Sequence, residues 1–141
     1  MSEISYGSWP SPVSVEMLTA SVVGLSAPAF DGDRLYWLEA RPEQAGRTSL
    51  WREGPDGDPE EVTPEPWNVR SRVNEYGGGE YAVAGGVVVF SELSDGRLYV
   101  IRAGGEPQPI TPTAALRYAD LRLHLDRSLV LAVREDHRAP G

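Results

Sequence analysis

Cysteine is absent from the 141-residue chain. That excludes disulfides, thiolate nucleophiles and cysteine-ligated zinc. Lysine is absent too: the 13 basic residues are all arginine, scattered without a run. The two histidines, His124 and His137, lack the spacing of a metal-binding pair, so no metal or other cofactor is expected. No apolar run approaches the roughly 18 residues of a membrane span. Met1–Pro10 has neither the basic start nor the apolar centre of a signal peptide. The expectation is a soluble cytoplasmic protein. A net charge of −8 argues against nucleic acid or anionic membrane as partners.

What the chain does have is turns. Fifteen glycines and 12 prolines punctuate it. Short runs rich in Val, Leu and aromatics stand between them at Arg34–Glu39, Ser49–Arg52, Val87–Ser91, Leu98–Arg102 and Leu129–Val133. The intervening pairs Asp31-Gly32, Asp56-Gly57, Gly85-Gly86, Asp95-Gly96 and Gly104-Gly105 are hairpin signals. No long stretch repeats every 3.6 residues between proper caps, which predicts little helix beyond one turn at Ser14–Leu18.

The pattern also repeats. Arg34–Glu39, Ser49–Arg52 and a closing Val62-Thr63-Pro64 are answered by Val87–Ser91, Arg97–Arg102 and a closing Ile110-Thr111-Pro112, about 48 residues on. A third unit starts with Leu121–Leu125 and Leu129–Arg134. Four short strands per unit, at a period of roughly 40 to 50 residues, mark the blades of a β-propeller. The expected fold is therefore all-β: an incomplete β-propeller of about two and a half four-stranded antiparallel blades. Residues 1–20 read as an N-terminal extension and 21–141 as the partial propeller. Its blades fall at about 21–66, 67–115 and a truncated 116–141. Such a chain is expected to self-associate through open blade edges, exposing strands such as Val87–Phe90 and Leu129–Val133.

Three stretches go beyond a generic blade: Tyr6–Pro12, Trp67–Gly79 (WNVRSRVNEYGGG), and Arg117–Leu121 with Val133–His137. Together they resemble the N-terminal propeller region of prolyl-oligopeptidase-family (S9) serine peptidases, in the bacterial acylaminoacyl- or dipeptidyl-peptidase-like branch. The chain departs from that pattern at Asn74, where a His is expected, so a role for that His does not carry over. The resemblance implies that the propeller gates peptide access to a C-terminal α/β-hydrolase domain. That domain would hold Ser, Asp and His in chain order, with the Ser in a G-x-S-x-G elbow. The partners implied are a peptide substrate and that domain.

No G-x-S-x-G occurs in this chain: Glu92 stands two residues before Ser94, and Glu3 two before Ser5. No catalytic residue is assigned, and the chain alone is expected to be inactive. His137, after Glu135-Asp136, reads as a loop or inter-blade hydrogen-bonding residue. Gly77-Gly78-Gly79 lacks a following Lys and reads as a close backbone approach, not a phosphate loop. The acidic stretch Asp56–Glu61 reads as a solvated loop, and Trp9, Trp37, Trp51 and Trp67 as core or blade-seam packing.

The candidate substrate-binding residues are Arg70, Arg72, Glu75 and Tyr76. Facing a central cavity, Glu75 could take a peptide amine, and the arginines a carboxylate or carbonyl. The plainer reading of Glu75 is a salt bridge joining two blades. The alternative to a peptidase part is a non-catalytic propeller module that binds proteins, because propellers host many unrelated functions.

Overall fold

The computed structural model describes residues 22–138. The N-terminal extension, the Tyr6–Pro12 block with Trp9, and the turn expected at Ser14–Leu18 lie outside the described residues.

Three antiparallel sheets follow one another along the chain. The first is β1 (Gly24–Asp31), β2 (Arg34–Arg41), β3 (Arg47–Glu53) and β4 (Pro59–Glu61), paired in that order. The second repeats it with β5 (Tyr81–Ala84), β6 (Val87–Ser91), β7 (Leu98–Ile101) and β8 (Gln108–Pro109). The third is the hairpin of β9 (Leu116–His124) and β10 (Leu129–Asp136). Among the described residues the only helical segments are three single 3₁₀ turns, and no helix is long and apolar enough to cross a membrane. The architecture is that of a partial propeller.

The repeated V-T-P and I-T-P ends have a physical cause. Thr63 is fully buried, and its Oγ1 accepts the Leu50 amide at 2.8 Å. In the second sheet Thr111 Oγ1 accepts the Leu98 amide at 2.9 Å. The residue before each Thr returns a backbone bond: Val62 N donates to Leu50 O at 2.8 Å and Ile110 N to Leu98 O at 2.9 Å. Each hydroxyl thus satisfies a strand amide where the short outer strand has ended.

Strand periodicity explains the apolar run Val87–Phe90. Val88 and Phe90 join Tyr36, Leu38, Leu50, Val69, Tyr81 and Ile101 in a cluster between the first and second sheets. Val89 points the other way, to Leu98, Val100, Leu116, Tyr118 and Leu121, between the second and third sheets. A strand buried on both faces reads as a continuous hydrophobic run. The expected exposure of Val87–Phe90 is therefore wrong, because the third sheet covers that face; only Leu129–Val133 stays largely open, with Leu131 63% exposed. Trp67 packs edge-on against Phe90 and Tyr99, with ring centroids 5.7 and 4.8 Å away. Trp37 and Trp51 face each other across β2 and β3 and are half-buried.

Two further expectations change. The turn before β2 is Gly32-Asp33, because Asp31 pairs with Arg34. The Asp31 carboxylate is drawn elsewhere: it accepts the Gly85 and Gly86 amides of the β5–β6 turn at 2.8 and 2.6 Å, fastening sheet one to sheet two. Nor is Asp56–Glu61 wholly a solvated loop. Its end is β4, where Glu60 meets Arg52 at 2.8 Å and Glu61 meets Arg47 at 2.7 Å.

Arg47 is the most connected of these cations. It is buried, and its guanidinium donates to the carbonyls of Thr63 (3.1 Å) and Trp67 (3.2 Å), to Gln44 Oε1 (2.9 Å) and to Glu61 (2.7 Å). Replacing it leaves two carbonyls and a carboxylate without their donor. Arg47→Met is expected to destabilise the fold by about 3 kcal/mol, read from urea unfolding. A change within about 0.5 kcal/mol, the usual range for an indifferent surface position, would show that the guanidinium is dispensable.

Candidate functional site

The connection between β4 and β5 carries the candidate residues, and it is pinned to all three sheets. Val69 N donates to Thr48 O (2.8 Å) in sheet one. Arg70 N donates to Ser91 O (3.0 Å), and Val69 bridges Glu92, in sheet two. Ser71 Oγ donates to Tyr118 O (2.7 Å) in sheet three. Burial alternates along the segment: Val69, Ser71 and Val73 are buried, whereas Arg70 and Arg72 are exposed.

Arg70 and Arg72 enter one cleft of about 290 Å³ between sheets two and three. The β6–β7 turn, the start of β9 and His137 complete its walls. Connections of the same kind, at one end of the sheets, thus converge here. The acidic groups of the cleft are already engaged. Glu92 is buried and accepts the Asn68 amide (2.8 Å) and the Ser94 amide (3.1 Å). Asp95 accepts the Arg97 amide (2.9 Å) and the Tyr99 hydroxyl (2.7 Å). No described residue hydrogen-bonds or ion-pairs with the side chain of Arg70 or Arg72.

Glu75 and Tyr76 do not line this cleft. Glu75 Oε1 accepts from Arg117 Nη1 at 2.5 Å, and the same Nη1 donates to Arg72 O at 3.0 Å, so β9 and the connection are tied by an ion pair. Tyr76 is 93% exposed and free of the core. Asn74 adopts a left-handed φ of 54° and gives its amide to Glu135 Oε1 on β10 at 2.6 Å. Glu135, which sequence reasoning treated only as part of an acidic pair, is therefore a hub: its Oε2 also meets His137 Nε2 at 3.0 Å. A carboxylate two residues before a His on the last described strand was the available signal.

The glycine run is a close backbone approach. A Cβ on Gly79, at a φ of 58°, would lie 2.6 Å from Asp120 Cα. Asp120 sits in a β-bulge of β9 with its own φ at 52°. Its amide and that of Leu121 donate to Gly78 O and Gly79 O, each at 3.2 Å. Among the described residues no group of three or more His, Asp or Glu could hold a metal ion.

The hydrogen bond from His137 and the amide of Asn74 hold the Glu135 carboxyl below its ordinary pKa. A depressed carboxylate pKa means that the folded state favours the ionised form. This contribution is present above the ordinary value of about 4.5 and is lost as pH falls through the lower folded value. Acidification below about pH 4.5 is thus expected to release the Asn74 amide, seen as faster hydrogen exchange at Asn74 once intrinsic rates are divided out. Glu135→Gln should remove that pH dependence. An equal profile in both proteins would show that the carboxylate does not hold the loop.

No protein-family model matches the chain, and no curated protein does. Solved structures do match. A puromycin-hydrolyzing peptidase from Mycobacterium tuberculosis is 40% identical over 95% of this chain, with a TM-score of 0.83. A puromycin hydrolase is 36% identical over 92%, with a TM-score of 0.75. The chain spans 22% of the length of each. Identity of this order across three consecutive sheets goes beyond a shared architecture: the chain is similar to the N-terminal region of puromycin-hydrolyzing peptidases of the S9 family.

Proposed function

We propose that this chain is the part of an S9-type serine peptidase that gates peptide access to an α/β-hydrolase domain lying outside it. The supporting observation is the connection between β4 and β5. It is held rigidly by three sheets, yet turns Arg70 and Arg72 outward at the end where the inter-strand turns gather. Loops on a rigid scaffold are where recognition residues concentrate. On this reading Arg70, Arg72, Glu75 and Tyr76 belong to the substrate-facing loop system. The protein works in the cytoplasm, and the chemistry is acyl transfer to a serine supplied by the other domain. Puromycin is a substrate to try first, since both relatives are described as hydrolysing it.

The test has two arms. The 141-residue chain alone is expected to leave puromycin and chromogenic aminoacyl or acylaminoacyl substrates intact, whereas the polypeptide encoded by the continuing reading frame hydrolyses them. A downstream frame without G-x-S-x-G would make the chain a binding module instead. Turnover by the pure chain, with a serine labelled by a phosphonate, would overturn the assignment from the other side.

Leu129, Leu131 and Val133 on β10 and Leu25 and Phe30 on β1 are exposed apolar residues on the two outer sheets. In the whole enzyme further blades cover them. The isolated chain is expected to associate through them at micromolar concentration, as read by sedimentation. A stable monomer throughout that range would contradict this.

A further inference from the structure

We propose that the cleft between sheets two and three binds the C-terminal carboxylate of a peptide, with Arg70 and Arg72 as its ligands. The proposal deepens the gating role, because it assigns a substrate class to that loop system.

In a chain of net charge −8, a cleft would ordinarily be neutralised from within. Here the two carboxylates of the cleft, Glu92 and Asp95, are occupied by backbone amides and the Tyr99 hydroxyl. Arg117 is occupied as well, by Glu75 and the Arg72 carbonyl. Of the three arginines that line the cleft, Arg70 and Arg72 are the two whose guanidinia meet no partner among the described residues. They stand two residues apart on one connection, and both line the cleft. A planar guanidinium carries its donors in a fork that fits a carboxylate.

The cleft is also positioned to read a chain end. Its volume of about 290 Å³ is small. The backbone beneath the arginines is fixed by the bonds of Val69, Arg70 and Ser71 to three sheets, so little ordering is lost on binding. Glu75 then has a positioning role: it holds Arg117 against the Arg72 carbonyl, and does not itself meet a peptide amine.

The experiment uses the 141-residue chain with N-acetyl-dialanine, its C-terminal amide and inorganic phosphate as probes, followed by amide chemical shifts of Gly96 and Leu116. The acid is expected to bind, and the amide about tenfold more weakly, as loss of a charge-assisted hydrogen bond implies. The double variant Arg70→Ala, Arg72→Ala should lose binding of the acid. Arg102→Ala, which removes an exposed arginine outside the cleft, should keep it. Binding should weaken with added salt, because the arginines are exposed. Equal binding of acid and amide would overturn the proposal, as would an unchanged double variant. Phosphate binding as well as the peptide acid would reduce the cleft to a general anion site and overturn the assignment to a peptide end. Binding is read without turnover, so its failure leaves the peptidase assignment standing. A reading frame without the serine elbow leaves carboxylate binding standing.

Discussion

The connection from β4 to β5 buries Thr63, Val69, Ser71 and Val73, and the backbone around them has to find partners. Thr48, Ser91 and Tyr118, one from each sheet, supply them through the amides of Val69 and Arg70 and the hydroxyl of Ser71. Arg47 adds donors for the carbonyls of Thr63 and Trp67. An unsatisfied buried polar group costs about 1–3 kcal/mol, so each of these bonds constrains how the sheets sit against one another. The hydrophobic clusters on either face of sheet two supply most of the stabilisation. They are non-directional, however, and would tolerate some sliding. The pinned connection sets the arrangement.

The same constraint explains which parts of the sequence were readable. Strands β2, β3, β6 and β7 showed as short apolar runs because each buries at least one face, and β6 as an unbroken run because it buries two; β10 showed as one although it stays largely exposed. The Thr-Pro endings showed as a repeat because the threonine hydroxyl does the same work in both sheets. Other features were hidden. Glu60 and Glu61 looked like part of a solvated acidic loop, since a run of like charge carries no sign of the arginines opposite it on β3. The burial of Val87–Phe90 by the third sheet depends on a sheet distant in sequence.

At the candidate site the divide is similar. Arg70 and Arg72 were legible as candidates, and the structure puts both in one cleft. The partner of Glu75 was legible only as a type of interaction, because Arg117 lies 42 positions away. The demand for glycine at Gly79 comes from a bulge at Asp120, a backbone feature with no residue signature of its own. Electrostatics follow the same logic: the carboxylates at this end of the sheets are spent on amides and on Arg117, which leaves positive charge facing outward from an acidic protein.

Native-state hydrogen exchange tests the pinning directly. If the connection holds the sheets in place, the amides of Val69 and Arg70 open only with the strands around them. Their opening free energies should then match those of the protected amides in β6 and β7 and of Asp120 and Leu121. Rapid exchange of Val69 and Arg70, as in a surface loop, while β6 and β7 stay protected, would contradict the account.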